Sequence, residues 1–235
     1  MNRRAVDYLG DIREAASLLR VEEIEAGAAL LAEALHDGRG VYICGNGGSA
    51  STASHLAVDL GKNLVTGPGK RMHVVSLTDN VPWLTALAND AGYADCFAEQ
   101  LRNYLQPNDV LVGISASGDS ENVVRAFELA RAAGASRLAL IGFDGGRLKQ
   151  LATRSVWVPS HDYGIVESIH LMVAHIWVRM LDHEAPAGVS LVTQKDQPRA
   201  QVRPAPTPAI TGLPLGHRER PRRIRNAAAT PQTGA

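Results

Sequence analysis

Apolar residues recur along the start of the chain at the three- and four-residue spacing of an amphipathic helix. Val6, Leu9, Ile12, Ala16 and Leu19 form one set, and Ile24, Ala28, Leu31 and Leu35 a second. These predict helices over residues 4–20 and 22–36. Gly10 and Gly27 fall inside the patterns, where glycine is a poor helix former, and the glycines of "HDGRG" close the second helix. The rhythm then changes. Five short, almost wholly apolar runs follow, over 41–44, 73–77, 110–115, 138–143 and 155–159. Segments of helical period lie between them, such as 120–134, and a last helix is predicted from about 163 to 183. Strands without polar alternation are buried on both faces, and alternation with helices makes a sheet parallel. The expected fold is α/β, a parallel sheet between two helical layers. In such sheets ligands bind beyond the carboxyl ends of the strands, so the loops there are the first place to look for chemistry.

Composition narrows the class. The 235 residues are 45% hydrophobic and 20% charged, ordinary values for a globular protein, and the formal net charge is zero. The balance is uneven, however. From Pro186 onward eight Lys or Arg face only Asp196 and Glu219, and eight of the twelve prolines fall there. That stretch has no helical or strand period and few large apolar residues. Residues 186–235 are therefore expected to be a disordered Pro/Arg-rich tail, following a folded domain over 1–185. A solvated tail is the favoured reading of "HRERPRRIRN", and nucleic acid is not an expected partner. Cys44 and Cys96 are too few for a disulfide framework and lack metal-type spacing. The charged N-terminus has no signal-peptide core and no apolar run reaches membrane-span length, so no membrane association and a cytoplasmic location are expected.

Two loops carry the unusual residues. After the first strand comes Gly45-Asn46-Gly47-Gly48-Ser49, which matches neither a dinucleotide fingerprint nor a P-loop. Its glycines allow a sharp turn and a close ligand, and the helix start behind it favours an anion, although a strand-to-helix turn uses glycine for geometry alone at least as often. After the third strand comes "SASGDSENV". Ser115, Ser117 and Ser120 place three hydroxyls around Gly118 at a helix start. One hydroxyl suffices for an N-cap, so three favour a phosphate cradle. His55 and Asp59, four apart, share one helix face, a spacing that suits two ligands of one metal. On the last helix Glu167 and His175 address one neighbourhood, while His170 is read as a packing residue or one that supports the ligands from behind.

Together "CGNGGSASTASHLAVDL" and "VGISASGDSENVVRAFELARAAG" resemble the sugar isomerase (SIS) domain, and within it the phosphoheptose isomerase family. "LANDAGYADCF" and "VESIHLMVAHIW" match further motifs of that family in order, so the resemblance covers roughly residues 1–183. It implies a flavodoxin-like αβα sandwich with a five-stranded parallel sheet and a leading helical pair. Asn46, Gly47, Gly48 and Ser49 match the segment that meets the substrate, and Asn89 and Asp90 match further contacts. Ser115, Ala116, Ser117 and Ser120 match the phosphate loop, with Ala116 replacing a usual Thr. His55 matches a zinc ligand, and Asp59 stands where the isomerases have a Glu that is both ligand and catalytic carboxylate. Glu167 stands where they have Gln, contacting substrate and metal, and His175 matches the second His ligand and acid/base. A family Asp just before the last helix is missing, with Gly164 near its place.

The resemblance thus implies an isomerase that converts sedoheptulose 7-phosphate to D-glycero-D-manno-heptose 7-phosphate in heptose biosynthesis. Its ligands would be one zinc ion per subunit, held by His55, Asp59, Glu167 and His175, and a sugar phosphate. Asp59 and His175 would exchange protons, and the subunits would assemble as a homotetramer. The alternative is a non-catalytic SIS protein, either a phosphosugar-binding regulator or an adaptor for the replication initiator. The Asp59 and Glu167 replacements favour that alternative, and the retained His55 and His175 oppose it.

Overall fold

The computed structural model describes residues 4–64 and 71–183; the expected tail over 186–235 and its boundary lie outside the described residues. Two helices lead, α1 (Ala5–Ser17) and α2 (Val21–Asp37). Then β1 (Val41–Gly45) runs into α3 (Gly48–Val58), which ends in a π-helical turn, Asp59–Asn63. Next come β2 (Val74–Ser76), α4 (Val81–Asp90), a 3-10 turn at Tyr93–Asp95 and α5 (Cys96–Leu101). The chain continues through β3 (Val110–Ser115), α6 (Glu121–Ala132), β4 (Ser136–Ile141), α7 (Gly146–Leu151), β5 (Arg154–Trp157) and α8 (Tyr163–His183). All five strands are parallel, in the order β2-β1-β3-β4-β5. This is the flavodoxin-like order, which reverses between β1 and β3.

Alternate strand residues divide the core into two layers, as the twofold period of a strand requires. Val41, Ile43, Val110, Val112, Leu138 and Leu140 face α2, α3 and α8. Tyr42, Cys44, Leu111, Ala139 and Ile141 face α5, α6 and α7. Both cysteines are buried and free. The bounds of β3 are as expected, and the other strands shift by at most two residues at an end, because apolar runs and backbone pairing do not coincide.

The helix α8 is long and apolar enough to cross a membrane, yet it is a core helix here. Ile165, Val166, Ile169, His170, Val173, Ala174, Trp177 and Leu181 form its buried stripe. Trp177 sets its position. The indole is fully buried and donates from Nε1 to the Ile24 carbonyl at 2.9 Å. It lies so close to α2 that a Cβ on Gly27 would meet Trp177 at 2.8 Å. The glycine that interrupts the helical pattern is thus the contact point for the last helix. Gly10 has no such neighbour. The leading helix also departs from its expected burial. Val6 and Leu9, read as inward positions, are 59% and 67% exposed, and Ala15 is the buried residue of α1. A helical period reports an apolar stripe but not what covers it.

The two glycines give opposite predictions. Gly10→Ala adds helix propensity in open space and is expected to stabilise by about 0.5–1 kcal/mol. Gly27→Ala gains the same propensity but pushes Trp177 outward, an overpacking cost of about 1–3 kcal/mol that outweighs it. Urea denaturation of both variants checks the signs, and stabilisation by Gly27→Ala would show that the indole contact is not tight.

Candidate active site

The strand pair β1–β3 aligns Gly45 with Ile114, so the loops that follow them emerge side by side where strand order reverses. In the first loop Gly47 takes φ 55°, a left-handed conformation that favours glycine, and α3 starts at once behind it. Gly48 is glycine for space: a Cβ there would lie 2.3 Å from Glu167 Oε2, so the Glu167 carboxylate covers this residue. Ser49 is buried. The Asn46 side chain is tied across the cleft. It exchanges amide hydrogen bonds with Asn122 of α6 at 2.8 and 2.9 Å, and the Tyr93 hydroxyl donates to its Oδ1 at 2.7 Å.

The second loop answers the question of cap against cradle. Ser120 occupies the N-cap position of α6, but its side chain makes no capping bond. Its Oγ lies 3.0 Å from Ser115 Oγ, which in turn lies 3.5 Å from Ser117 Oγ. Backbone N–H groups of Gly118 and Asp119 donate to Ser115 and Ser117 at 3.2 Å. Those N–H groups fill acceptor sites, and the two bonds within the trio use two of its three hydroxyl protons, so one proton is left to give to an oxygen ligand. Gly118 has φ 70°, and a Cβ on it would lie 2.0 Å from the Gly145 carbonyl, so the loop packs on the turn before α7. Ala116 is buried, with its carbonyl taken by Gly142 N–H at 2.9 Å. Two carboxylates nearby are neutralised. Arg147 bonds both Asp119 and Glu121, Arg125 bonds Glu121, and these hydrogen bonds, Arg147's foremost, hold Glu121 below the usual carboxylate range.

A third group forms where α8 crosses α3. The Nε2 atoms of His55 and His175 are 3.2 Å apart, and Asp59 Oδ2 lies 3.3 Å from His55 and 4.0 Å from His175. Asp59 opens the π-helical turn, a feature often found at functional sites. One ligand atom from each residue falls within 4.8 Å of the others, a group that could hold a metal ion. A tetrahedral ion with bonds of about 2.0–2.1 Å sets its ligand atoms about 3.3 Å apart, so the spacing fits. Two imidazole nitrogens and a carboxylate oxygen suit zinc-like ions.

Other expected residues stand elsewhere. Glu167, two turns before His175, is not in this three-residue group; its carboxylate is at Gly48. Asn89 and Asp90, matched to substrate contacts, end α4, exposed, with Asn89 Nδ2 donating to Asp90 at 2.8 Å. Before α8, Asp162 accepts from Gly164 and Ile165 N–H at 2.9 and 3.2 Å, so a carboxylate caps the helix one turn ahead of Glu167. The sequence reading missed Tyr93 and Asn122. Asn122 had a legible signal, a polar residue on the apolar side of α6, 2% exposed. Tyr93 had none, since its partner is 47 residues away.

Fold and site define a doubly wound α/β protein with a hydroxyl-lined anion loop and a His/Asp cluster. The model of the SIS domain matches residues 6–142. A phosphoheptose isomerase of a Nitratiruptor species is 37% identical over 159 residues, 68% of this chain and 84% of that protein. One from Helicobacter pylori (strain Shi470) is 43% identical over 148 residues, 63% of this chain and 76% of that one. The structure of phosphoheptose isomerase GmhA from Neisseria gonorrhoeae superposes with a TM-score of 0.69 at 31% identity, covering 76% of this chain and 96% of that one. The chain belongs to the SIS-domain family and, within it, to the phosphoheptose isomerases.

Beneath the site His170 is fully buried, and neither ring nitrogen has a hydrogen-bond partner among the described residues. Burial pushes its pKa down to about 4, and the Ile141 backbone offsets only part of this. The unfolded chain therefore takes up a proton near pH 6.5 that the folded chain refuses. Stability is expected to fall as pH drops from 6.5 toward 4, by ~3 kcal/mol from this residue. His170→Leu should flatten urea midpoints across that window, and an unchanged pH dependence would place the acid sensitivity in other groups.

Proposed function

We propose that this chain interconverts sedoheptulose 7-phosphate and D-glycero-D-manno-heptose 7-phosphate, the isomerisation that supplies heptose biosynthesis. The observation that carries the reading is the convergence of His55, Asp59 and His175 into one group on α3 and α8, in a chain whose uncapped serine loop lies at the switch point of the sheet. An adaptor or regulator has no need of three ligand atoms at this spacing. Ser115, Ser117 and Ser120 hold the phosphate, aided by the start of α6 and the backbone around Ala116. Asn46, Gly47, Gly48 and Ser49 border the sugar, with Glu167 over Gly48 and with Asn89 and Asp90 at the rim.

The chemistry is proton transfer between adjacent carbons. A base takes the proton from C1 while the C2 carbonyl oxygen gains one, giving an enediol. Return of a proton to C2, with loss of the O1 hydroxyl proton, yields the aldose. Asp59 and His175 are the groups we assign to these transfers. Asp59 is the carbon base, and His175 serves the oxygens. His55, Asp59 and His175 would hold a zinc ion, one per subunit, with Glu167 within reach only if its carboxylate leaves Gly48. When bound, the ion supplies charge that stabilises oxyanions of the sugar. Asp for Glu shortens the arm by about one C–C bond, ~1.5 Å; the pairing of Asp59 with both histidines supports a sufficient reach for the shorter arm.

The assembly we propose is a homotetramer of a cytoplasmic protein. The exposed Val6, Leu9, Leu18 and Val21 of the leading helices support it, as an apolar surface that a partner subunit would cover.

Purified protein is expected to convert sedoheptulose 7-phosphate in the presence of zinc, followed by NMR. Chelation should abolish turnover and zinc restore it. His175→Ala is expected to lower kcat by about 10²-fold or more. Ser120→Ala, which removes one bond to a charged phosphate, is expected to raise KM about tenfold with little change in kcat. Absence of product at high enzyme and zinc concentrations would overturn the reading.

A further inference from the structure

The amide of Asn46 has a hydrogen-bond polarity that other residues dictate. The backbone N–H of Val123 donates to Asn122 Oδ1 at 3.0 Å, and a backbone N–H cannot accept. The Asn122 atom facing it is therefore oxygen, whatever the usual ambiguity of amide orientation. Asn122 Oδ1 also receives Asn46 Nδ2, so the Asn46 atom facing the other side of the Asn122 amide must be its oxygen. That oxygen accepts twice, from Asn122 Nδ2 and from the Tyr93 hydroxyl. Burial holds the Tyr93 phenol above its usual range, so it is protonated and able to donate at neutral pH.

The count then closes. Asn122 is almost fully buried and spends all its capacity: Oδ1 accepts from Val123 and Asn46, and Nδ2 donates to Asn46 and to Cys96 Sγ at 3.6 Å. Asn46 has both lone pairs of Oδ1 filled and one of its two Nδ2 protons used. It is left with a single function, one N–H donor, in a partly exposed residue of the loop at the switch point.

We propose that Asn122 and Tyr93 are positioning residues that make Asn46 a donor-only group, aimed at a sugar oxygen that carries negative charge in the reaction. This rests on the isomerase reading of the site. An ordinary Asn offers donor and acceptor alike and serves a hydroxyl as well as an oxyanion. With its oxygen saturated, Asn46 discriminates: it suits the carbonyl oxygen of the substrate and the enediolate oxygen better than a hydroxyl proton. The arrangement also joins two functions. Asn122 lies in the first turn of α6, two residues after Ser120 of the phosphate loop, so the helix that faces the phosphate also sets the amide that faces the sugar.

The test is a double-mutant cycle. Asn122→Asp keeps the shape and the acceptor for Val123, but turns a second oxygen toward Asn46 Oδ1 and breaks the pair. Its kcat is expected to fall about tenfold or more, with KM and inhibition by inorganic phosphate changed less than about twofold. Tyr93→Phe, at a half-exposed residue that a fold tolerates, is expected to lower kcat about three- to tenfold. In an Asn46→Ala background both substitutions should change kcat by less than about twofold, because the group they orient is gone. Losses that add independently of Asn46, or a parallel loss of phosphate inhibition, would overturn the proposal. NMR of the Asn46 side-chain amide separates this question from the isomerase reading. One Nδ2 proton of the wild type should be shifted downfield by its bond to Asn122, and Asn122→Ala, which removes the acceptor, should return it to the position of a solvated amide. Two Nδ2 protons at the positions of a free, fast-exchanging Asn amide in the wild type would overturn the proposal even if turnover is found. If wild-type protein lacks turnover while the amide behaves as expected, the isomerase reading fails and the hydrogen-bond assignment stands.

Discussion

The candidate site depends on where α8 lies, and the Trp177 indole against Gly27 decides that. The indole is the largest fully buried side chain among the described residues, and it is pinned at one end by its bond to the Ile24 carbonyl. With that contact made, α8 has one rotation. Its stripe from Ile165 to Leu181 faces the core, His170 points inward, and Glu167 and His175 are left at the edge that crosses α3. A helix anchored by a rigid aromatic can hold a polar group at its flank to the tolerance that chemistry requires. The same contact ties α2 to the domain, since α2 supplies both the carbonyl and the glycine.

Around that anchor the sheet arranges the rest without special devices. Parallel pairing of β1 and β3 brings the glycine loop and the serine loop together because strand order reverses there. The serine loop is then held from three sides: by Gly145 against Gly118, by Arg147 on Asp119, and by Arg125 and Arg147 on Glu121. These exposed ion pairs add little to stability. Their consequence is electrostatic. They cancel carboxylates beside the place where an anion would sit, so the helix start and the hydroxyls remain attractive to phosphate.

Two residues that the resemblance reads as substitutions also have a physical account. Asp59 is one methylene shorter than the Glu the resemblance expects, yet it meets His55, one α-helical turn before it, and His175 across on α8. Glu167 brings a charge where the resemblance expects an amide, and its carboxylate settles over Gly48 at the start of α3, where positive helix polarity favours it. The extra charge is thereby held apart from the His/Asp group.

Much of this was written in the linear sequence. Strand and helix order, the parallel sheet, the two ligand-facing loops and the i,i+4 pair His55 and Asp59 follow from short-range patterns, because backbone periodicity and helix geometry act over a few residues. What crosses the chain was not legible. The meeting of His55 with His175 spans 120 residues, and that of Asn46 with Asn122 and Tyr93 spans 76 and 47. Nor could the pattern say that Gly27 serves Trp177 while Gly10 faces open space, or that Val6 and Leu9 lie outside the core. Local propensity determines which elements form. Only packing of one element on another decides which side chains share a site, which of their hydrogen bonds remain to be used, and which apolar faces are left uncovered.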